Sequence, residues 1–154
     1  MTLALAPSAL RRPAYVADTV REIAPGSRPV VLGPEDVVLI LGGLERQDDR
    51  ERFVALLLNA RHECTAIETV SIGSLNASIV HPREVFRAAI LAGSASIIFA
   101  HNHPSGDPEP SDEDISTTDR LVQAGELLGV AVLDHVIIGE RGSVSLRQRR
   151  VGGL

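Results

Sequence analysis

The sequence predicts an α/β fold, a mixed sheet with helices packed against it, from three observations. Apolar runs of strand length are interleaved with segments of helical spacing. Gly and Pro stand between those segments, where chain reversals need them. The composition is 44% hydrophobic but only 3% aromatic, so the core must be packed with Leu, Ile, Val and Ala. At 154 residues the chain has the size of one domain and is long enough to bury a core of its own. Residues 1–12 read as a loose leader and 13–154 as a single unit.

The elements follow in order. After Pro13, "AYVADTVREI" alternates in part, as an exposed strand does. "PGSRPVVLG" is a loop. "PEDVVLILGGL" opens with Pro34 and two acids, which suit a helix N-terminus, and stops at Gly42 and Gly43. "ERFVALLLN" holds a continuous apolar run and reads as a buried strand, with the alternating "ECTAIETVSIG" as its neighbour. "NASIV" is a short strand candidate. "HPREVFRAAILAG" has Pro82 at a first helical position and Gly93 as the stop. "SASIIFAHNH" is apolar enough for a central strand. "SDEDISTTDRLVQAGELLG" has Ser111 as a cap, acids in its first turn and Gly129 at its end, and so predicts a helix. "VAVLDHVIIG" reads as another strand and "GSVSLRQ" as a short edge strand.

Composition also bounds function. No uncharged apolar run approaches the roughly 20 residues of a membrane helix, and the longest candidate is Ala88 to Ala100. The N-terminus has no basic residue before Arg11, so it lacks the positive start of a secretory signal. The single Cys64 makes no internal disulfide, which suits a reducing cytoplasm. A net charge of −5 and a pI near 5.5 argue against direct nucleic-acid binding. All 15 basic residues are Arg, so no lysine can carry a Schiff base. Arg11 and Arg12, and "RQRR" at 147–150, read as solvated tails.

The stretch "FAHNHPSGDPEPSDEDIS" carries the chemistry. On a strand, His101 and His103 at separation two point the same way, which sets two imidazoles side by side at the strand end. The Pro- and Gly-rich loop then lets the chain reverse into a helix at Ser111, whose first turn brings Asp114 round. Two imidazole nitrogens and a carboxylate oxygen are a ligand set that catalytic zinc accepts while keeping a fourth position open. Ser111 followed by Asp114 is equally a capping signature.

His101-x-His103, seven residues, Ser111, two residues and Asp114 is the spacing of the JAMM metalloprotease motif of JAB/MPN domains. "GSLNASIVHPREVFRAAI", "IIFAHNHPSGDPEPSDEDISTTDRL" and "VLDHVIIG" resemble the RadC family of bacterial JAB-domain proteins. The resemblance runs from about Pro34 to the C-terminus. It implies a JAB/MPN domain of cytidine-deaminase-like type holding one zinc ion on His101, His103 and Asp114. It also implies a glutamate ahead of the first central strand, which falls on Glu51, with Glu63 and Glu68 as rivals in the next strand. In the implied mechanism the metal acidifies a water, Glu51 moves its proton to the leaving amine, and Ser111 donates to the developing oxyanion. The expected reaction is hydrolysis of an amide or isopeptide bond in a peptide or protein.

One cysteine excludes the zinc nucleobase deaminases, which need a paired-cysteine motif. A catalytically silent JAB domain serving as an interaction module in DNA repair or processing is the alternative from another class. Many RadC-like proteins carry an N-terminal helix-hairpin-helix segment, for which this chain leaves no room, and that weakens a DNA-binding role. Asn102 and Ser105 read as turn residues, and His135 as structural with a lesser claim to support a metal ligand. The tail "RRVGGL" resembles the diglycine ends of ubiquitin-like modifiers, but a flexible terminus explains it better. Pairing with a second copy as a homodimer stays open.

Overall fold

The computed structural model describes residues 20–43, 49–73 and 80–154. Among the described residues six strands form one mixed sheet. They are β1 (Val20–Glu22), β2 (Arg52–Leu58), β3 (Cys64–Ile72), β4 (Ser96–Asn102), β5 (Ala131–Gly139) and β6 (Gly142–Ser145), in the spatial order β1-β3-β2-β4-β5-β6. The helices are α1 (Pro34–Leu41), α2 (Pro82–Leu91), α3 (Asp112–Leu128) and α4 (Leu146–Arg149), with a 3-10 turn at Pro25–Ser27. Every strand pair is antiparallel except β4 and β5, which are parallel and joined through α3. That crossover is what a parallel pair requires, since no tight turn can join two strands running the same way.

The alternation of each strand divides the core between two faces. Phe53, Ala55 and Leu57 of β2 join Ile97 and Phe99 of β4 beneath α2 and α3, with Phe86 and Leu121 covering them. Val54, Leu56, Ile98, Ala100, Val136 and Ile138 face the other way, toward Val37 of α1. β2 and β4 are buried along almost their whole length, which accounts for their unbroken apolar runs. Each large side chain so buried stabilises the fold by about 1.5–3 kcal/mol relative to exposure.

A register shift in β5 positions the site. Ile97 pairs with Val132 while Ile98 pairs with Asp134, so Leu133 is an extra residue on that strand. Because a one-residue slip exchanges the faces of a strand, this insertion turns His135 onto the face of Phe99 and His101. Asp134 takes the opposite face.

Three expectations at the C-terminus change, and some fall outside the described residues. "RQRR" is solvent-exposed as expected but is no loose tail: Ser145 Oγ accepts from the Gln148 amide to cap α4, and Leu146 just before it is fully buried. The diglycine end is packed as well. A side chain at Gly152 would begin 3.0 Å from Thr118 Cβ, and its φ of +69° is one that glycine adopts readily, so glycine suits this close approach to α3. "GSVSLRQ" is a strand only as far as Ser145, where α4 takes over. Residues 1–19, including the leader and most of "AYVADTVREI", and residues 74–79, including most of "NASIV", lie outside the described residues. Among the described residues no helix is long and apolar enough to cross a membrane.

Candidate metal centre

β4 runs to Asn102, and its alternation sends His101 onto the α3 face while His103 follows at the strand's mouth. α3 begins where expected. Ser111 Oγ accepts from the Asp114 amide at 3.1 Å, and Asp114 Oδ2 accepts from the Ser111 amide at 2.8 Å, a reciprocal capping box. The cap fixes the rotation of the first turn and aims Asp114 back at the strand end. Between the two, residues 104–110 lie tightly over the end of β5. A Cβ at Gly139 would stand 2.4 Å from the Gly106 carbonyl oxygen, so no other residue fits there. Arg149 clamps the same loop through a bidentate pair with Glu109 at 2.8 and 2.9 Å.

His101, His103 and Asp114 come together. Each offers one ligand atom, and those atoms lie within 4.8 Å of one another. His101 Nε2 is 2.9 Å from His103 Nε2 and 3.3 Å from Asp114 Oδ1, while His103 Nε2 is 3.2 Å from Asp114 Oδ2. His101 is fully buried and Asp114 is 7% exposed, whereas the His103 side chain keeps 14% exposure and opens the group to solvent. His103 Nδ1 lies 2.8 Å from the Asp107 carbonyl oxygen. A carbonyl only accepts, so Nδ1 carries the hydrogen and the neutral ring turns its Nε2 lone pair inward. This donor set fits a zinc ion: two imidazoles and one carboxylate converge on one small volume.

The same three groups attract one another electrostatically whenever a ring takes up a hydrogen on Nε2. Burial alone would raise the Asp114 carboxyl, but the hydrogen bonds to His101 and His103 outweigh it and hold the group well below the usual carboxylate range. Asp114 and the Asp107 carbonyl raise His103, and Glu51 adds to the effect. Burial, followed by the charge of His101, pushes His135 well below its ordinary value, so that ring is neutral.

Glu51 stands half-buried just ahead of β2, close enough for its charge to be felt at His103. Asn102 holds that segment. Its side chain accepts from the Arg52 amide at 2.7 Å and donates to the Arg50 carbonyl at 3.0 Å, bracketing Glu51 from both sides. Asn102 is therefore a clamp at the strand end rather than a turn residue, while Ser105 is a turn residue, accepting from the Asp107 amide. The rival acids sit elsewhere. Glu63 bonds Asn59 and Arg61 in the β2–β3 hairpin, at the far end of the sheet. Glu68 is buried opposite Ala55, where Arg87 and Glu84 act on it.

Two polar residues behind His101 had little or no signal in the sequence. His135 Nε2 lies 2.7 Å from His101 Nδ1, and His135 Nδ1 lies 2.6 Å from Thr118 Oγ1. Thr118 also donates to the Asp114 carbonyl at 2.6 Å. A threonine within a helix and a histidine within an apolar strand look like ordinary interior residues; only the "DH" pair in "VLDHVIIG" hinted at more.

Comparison with known proteins places this architecture. Residues 31–151 match the RadC-like JAB domain family. The UPF0758 protein TTE0897 of Caldanaerobacter subterraneus subsp. tengcongensis is 56% identical over 119 residues, covering 77% of this chain and 51% of that protein. The corresponding protein of Desulforamulus reducens is 52% identical over 123 residues (80% and 54%), and that of Methanosarcina barkeri 53% over 117 residues (76% and 51%). The chain spans about half the length of these curated relatives. With a matched segment that holds every residue of the cluster described above, the chain belongs to the RadC-like JAB domain family.

Proposed function

We propose that this chain is a zinc-dependent hydrolase of amide or isopeptide bonds, acting on a peptide or protein. The observation that carries the reading is the convergence of His101 Nε2, His103 Nε2 and an Asp114 carboxylate oxygen at the mouth of β4. A bound zinc ion supplies a Lewis acid that polarises the scissile carbonyl and acidifies a water at neutral pH. The chain's own residues do the rest. Glu51 takes the proton from that water and delivers it to the leaving amine, and the Asn102 clamp holds the segment that presents it. Ser111 spends its oxygen on the helix cap, which leaves its hydroxyl hydrogen to donate to the oxyanion. Asp114 stays ionised beside both rings.

The test is metal content by mass spectrometry, followed by cleavage of a peptide and isopeptide library. Purified protein is expected to hold one zinc per chain and a His101→Ala/His103→Ala variant none. Glu51→Gln is expected to keep the metal and lose turnover by roughly 10²–10⁴-fold. No metal in the unmodified protein, even after incubation with zinc, overturns the reading. Metal without cleavage of any substrate would favour a silent interaction module.

A further inference from the structure

We infer that Thr118 and His135 are positioning residues that set the tautomer of His101, through a hydrogen-bond chain closing on the backbone of Asp114. This rests on the metal reading above, since it concerns how one ligand is presented.

The chain has four members in sequence: His101 Nδ1, His135, Thr118 Oγ1 and the Asp114 carbonyl, with links of 2.7, 2.6 and 2.6 Å. All are buried, so water does not supply missing partners. The last link decides the polarity. The Asp114 carbonyl can only accept, so the Thr118 hydroxyl gives it its single hydrogen. Thr118 Oγ1 is then left as an acceptor, and His135 must bring a hydrogen on Nδ1. A neutral imidazole with hydrogen on Nδ1 has a lone pair on Nε2, so His135 accepts from His101. His101 therefore carries its hydrogen on Nδ1 and turns a free Nε2 lone pair toward His103 and Asp114, the form a metal ligand needs. The opposite polarity, with Thr118 donating to His135, would put a hydrogen on His101 Nε2 and block the site.

The chain also closes a ring. It leaves one ligand, His101, and returns to the backbone of another, Asp114. Phe53 fixes the rings in place, stacked on His101 at 6.0 Å and edge-on to His135 at 5.3 Å. Neither Thr118 nor His135 offers an atom to the metal cluster itself. Their effect on the site passes through His101.

Thr118→Val tests this, because it removes one hydroxyl and nearly keeps the shape. With no acceptor behind it, His135 Nδ1 loses its hydrogen, both rings switch tautomer, and zinc affinity is expected to fall 10–100-fold, the usual effect of losing an outer partner. Thr118→Ser restores the hydroxyl and is expected to restore zinc affinity. Folding is checked by circular dichroism and thermal melting, and zinc alone is titrated, so no substrate is involved. The direct readout is the imidazole nitrogen-15 shifts of the zinc-loaded protein, where His101 and His135 should both show a protonated Nδ1. A folded Thr118→Val binding zinc within twofold of the unmodified protein, or a His135 protonated on Nε2 in the unmodified protein, overturns the inference and leaves the hydrolase reading standing. Failure of the unmodified protein to bind zinc overturns both.

Discussion

The two faces of the sheet handle buried polarity in opposite ways, and neighbouring residues of β5 show it. Asp134, on the α1 side, is surrounded by donors: the amides of His135 and Arg147 and the Ser145 hydroxyl all reach its oxygens, at 2.7, 3.1 and 2.7 Å. A carboxylate so enclosed has three of its four lone pairs engaged by fixed donors. It ties β5 to β6 and α4 and flanks a cavity of about 690 Å³ lined by residues such as Val37, Ile98 and Arg150. His135, on the α3 side, belongs to a chain that ends where His101, His103 and Asp114 converge. A buried acid can thus be a fastening or a ligand. What separates Asp134 from Asp114 is whether its partners donate to it or converge with it.

Paired substitutions test that contrast most strongly. Asp114→Asn should abolish stoichiometric zinc, weakening binding by at least a hundredfold, about 3 kcal/mol, while leaving the metal-free protein folded. Asp134→Ala should do the reverse. It orphans three donors and is expected to cost roughly 2–3 kcal/mol of unfolding free energy by denaturant titration, with zinc affinity changed only a few-fold. Equal losses in both assays for both variants would remove the distinction.

Glu68 sharpens the comparison, because it is a buried acid that neither fastens nor ligates. Among the described residues its Oε2 has no hydrogen-bond partner, and burial pushes its carboxyl from 4.5 up to about 7 against the attraction of Arg87, with Glu84 adding to the rise. The folded protein holds this proton more tightly than the unfolded chain. The site therefore costs nothing below about pH 4.5, and stability is lost progressively as pH rises through 7. Glu68→Gln should remove that loss, gaining roughly 1–3 kcal/mol at pH 8 and nothing at pH 4 in melting curves across pH. The smallest effect belongs to the surface. Arg149→Ala breaks the pair with Glu109, about half-exposed on both sides, and should cost less than about 1 kcal/mol and fade with salt.

The strands and helices were legible wherever local pattern and burial agree. "FVALLL" and "IIFA" are apolar throughout because β2 and β4 are interior strands, and Pro82, Ser111 and Gly129 marked helix ends by chemistry the structure uses. In the C-terminal "RQRR" charge rightly suggested solvent but hid a helix, whose place is set by the buried Leu146 and by the Asp134 carboxylate thirteen residues before Arg147. His101, His103 and Asp114 could be grouped from spacing alone, since one strand end and one capped helix bring them round. Thr118 could not. Its partners are a helix turn and a strand seventeen residues on, and nothing near it in sequence names either. Asn102 was hidden for a similar reason, because its partners are Arg50 and Arg52 across the sheet.

The parallel crossover from Ser96 to Gly139 has a consequence for how the site is assembled and inherited. His101, His103, Asp114, Thr118 and His135 all lie in that one strand-helix-strand passage, so a single local unit carries the whole metal set and its support. Contacts of short sequence separation close early in folding, and an ion that binds them adds its own free energy to that step. Glu51 alone arrives from across the sheet, through β2. On the proposed function, capture of metal and the ability to move a proton are therefore written in different stretches of chain, and a descendant could lose the second while keeping the first intact.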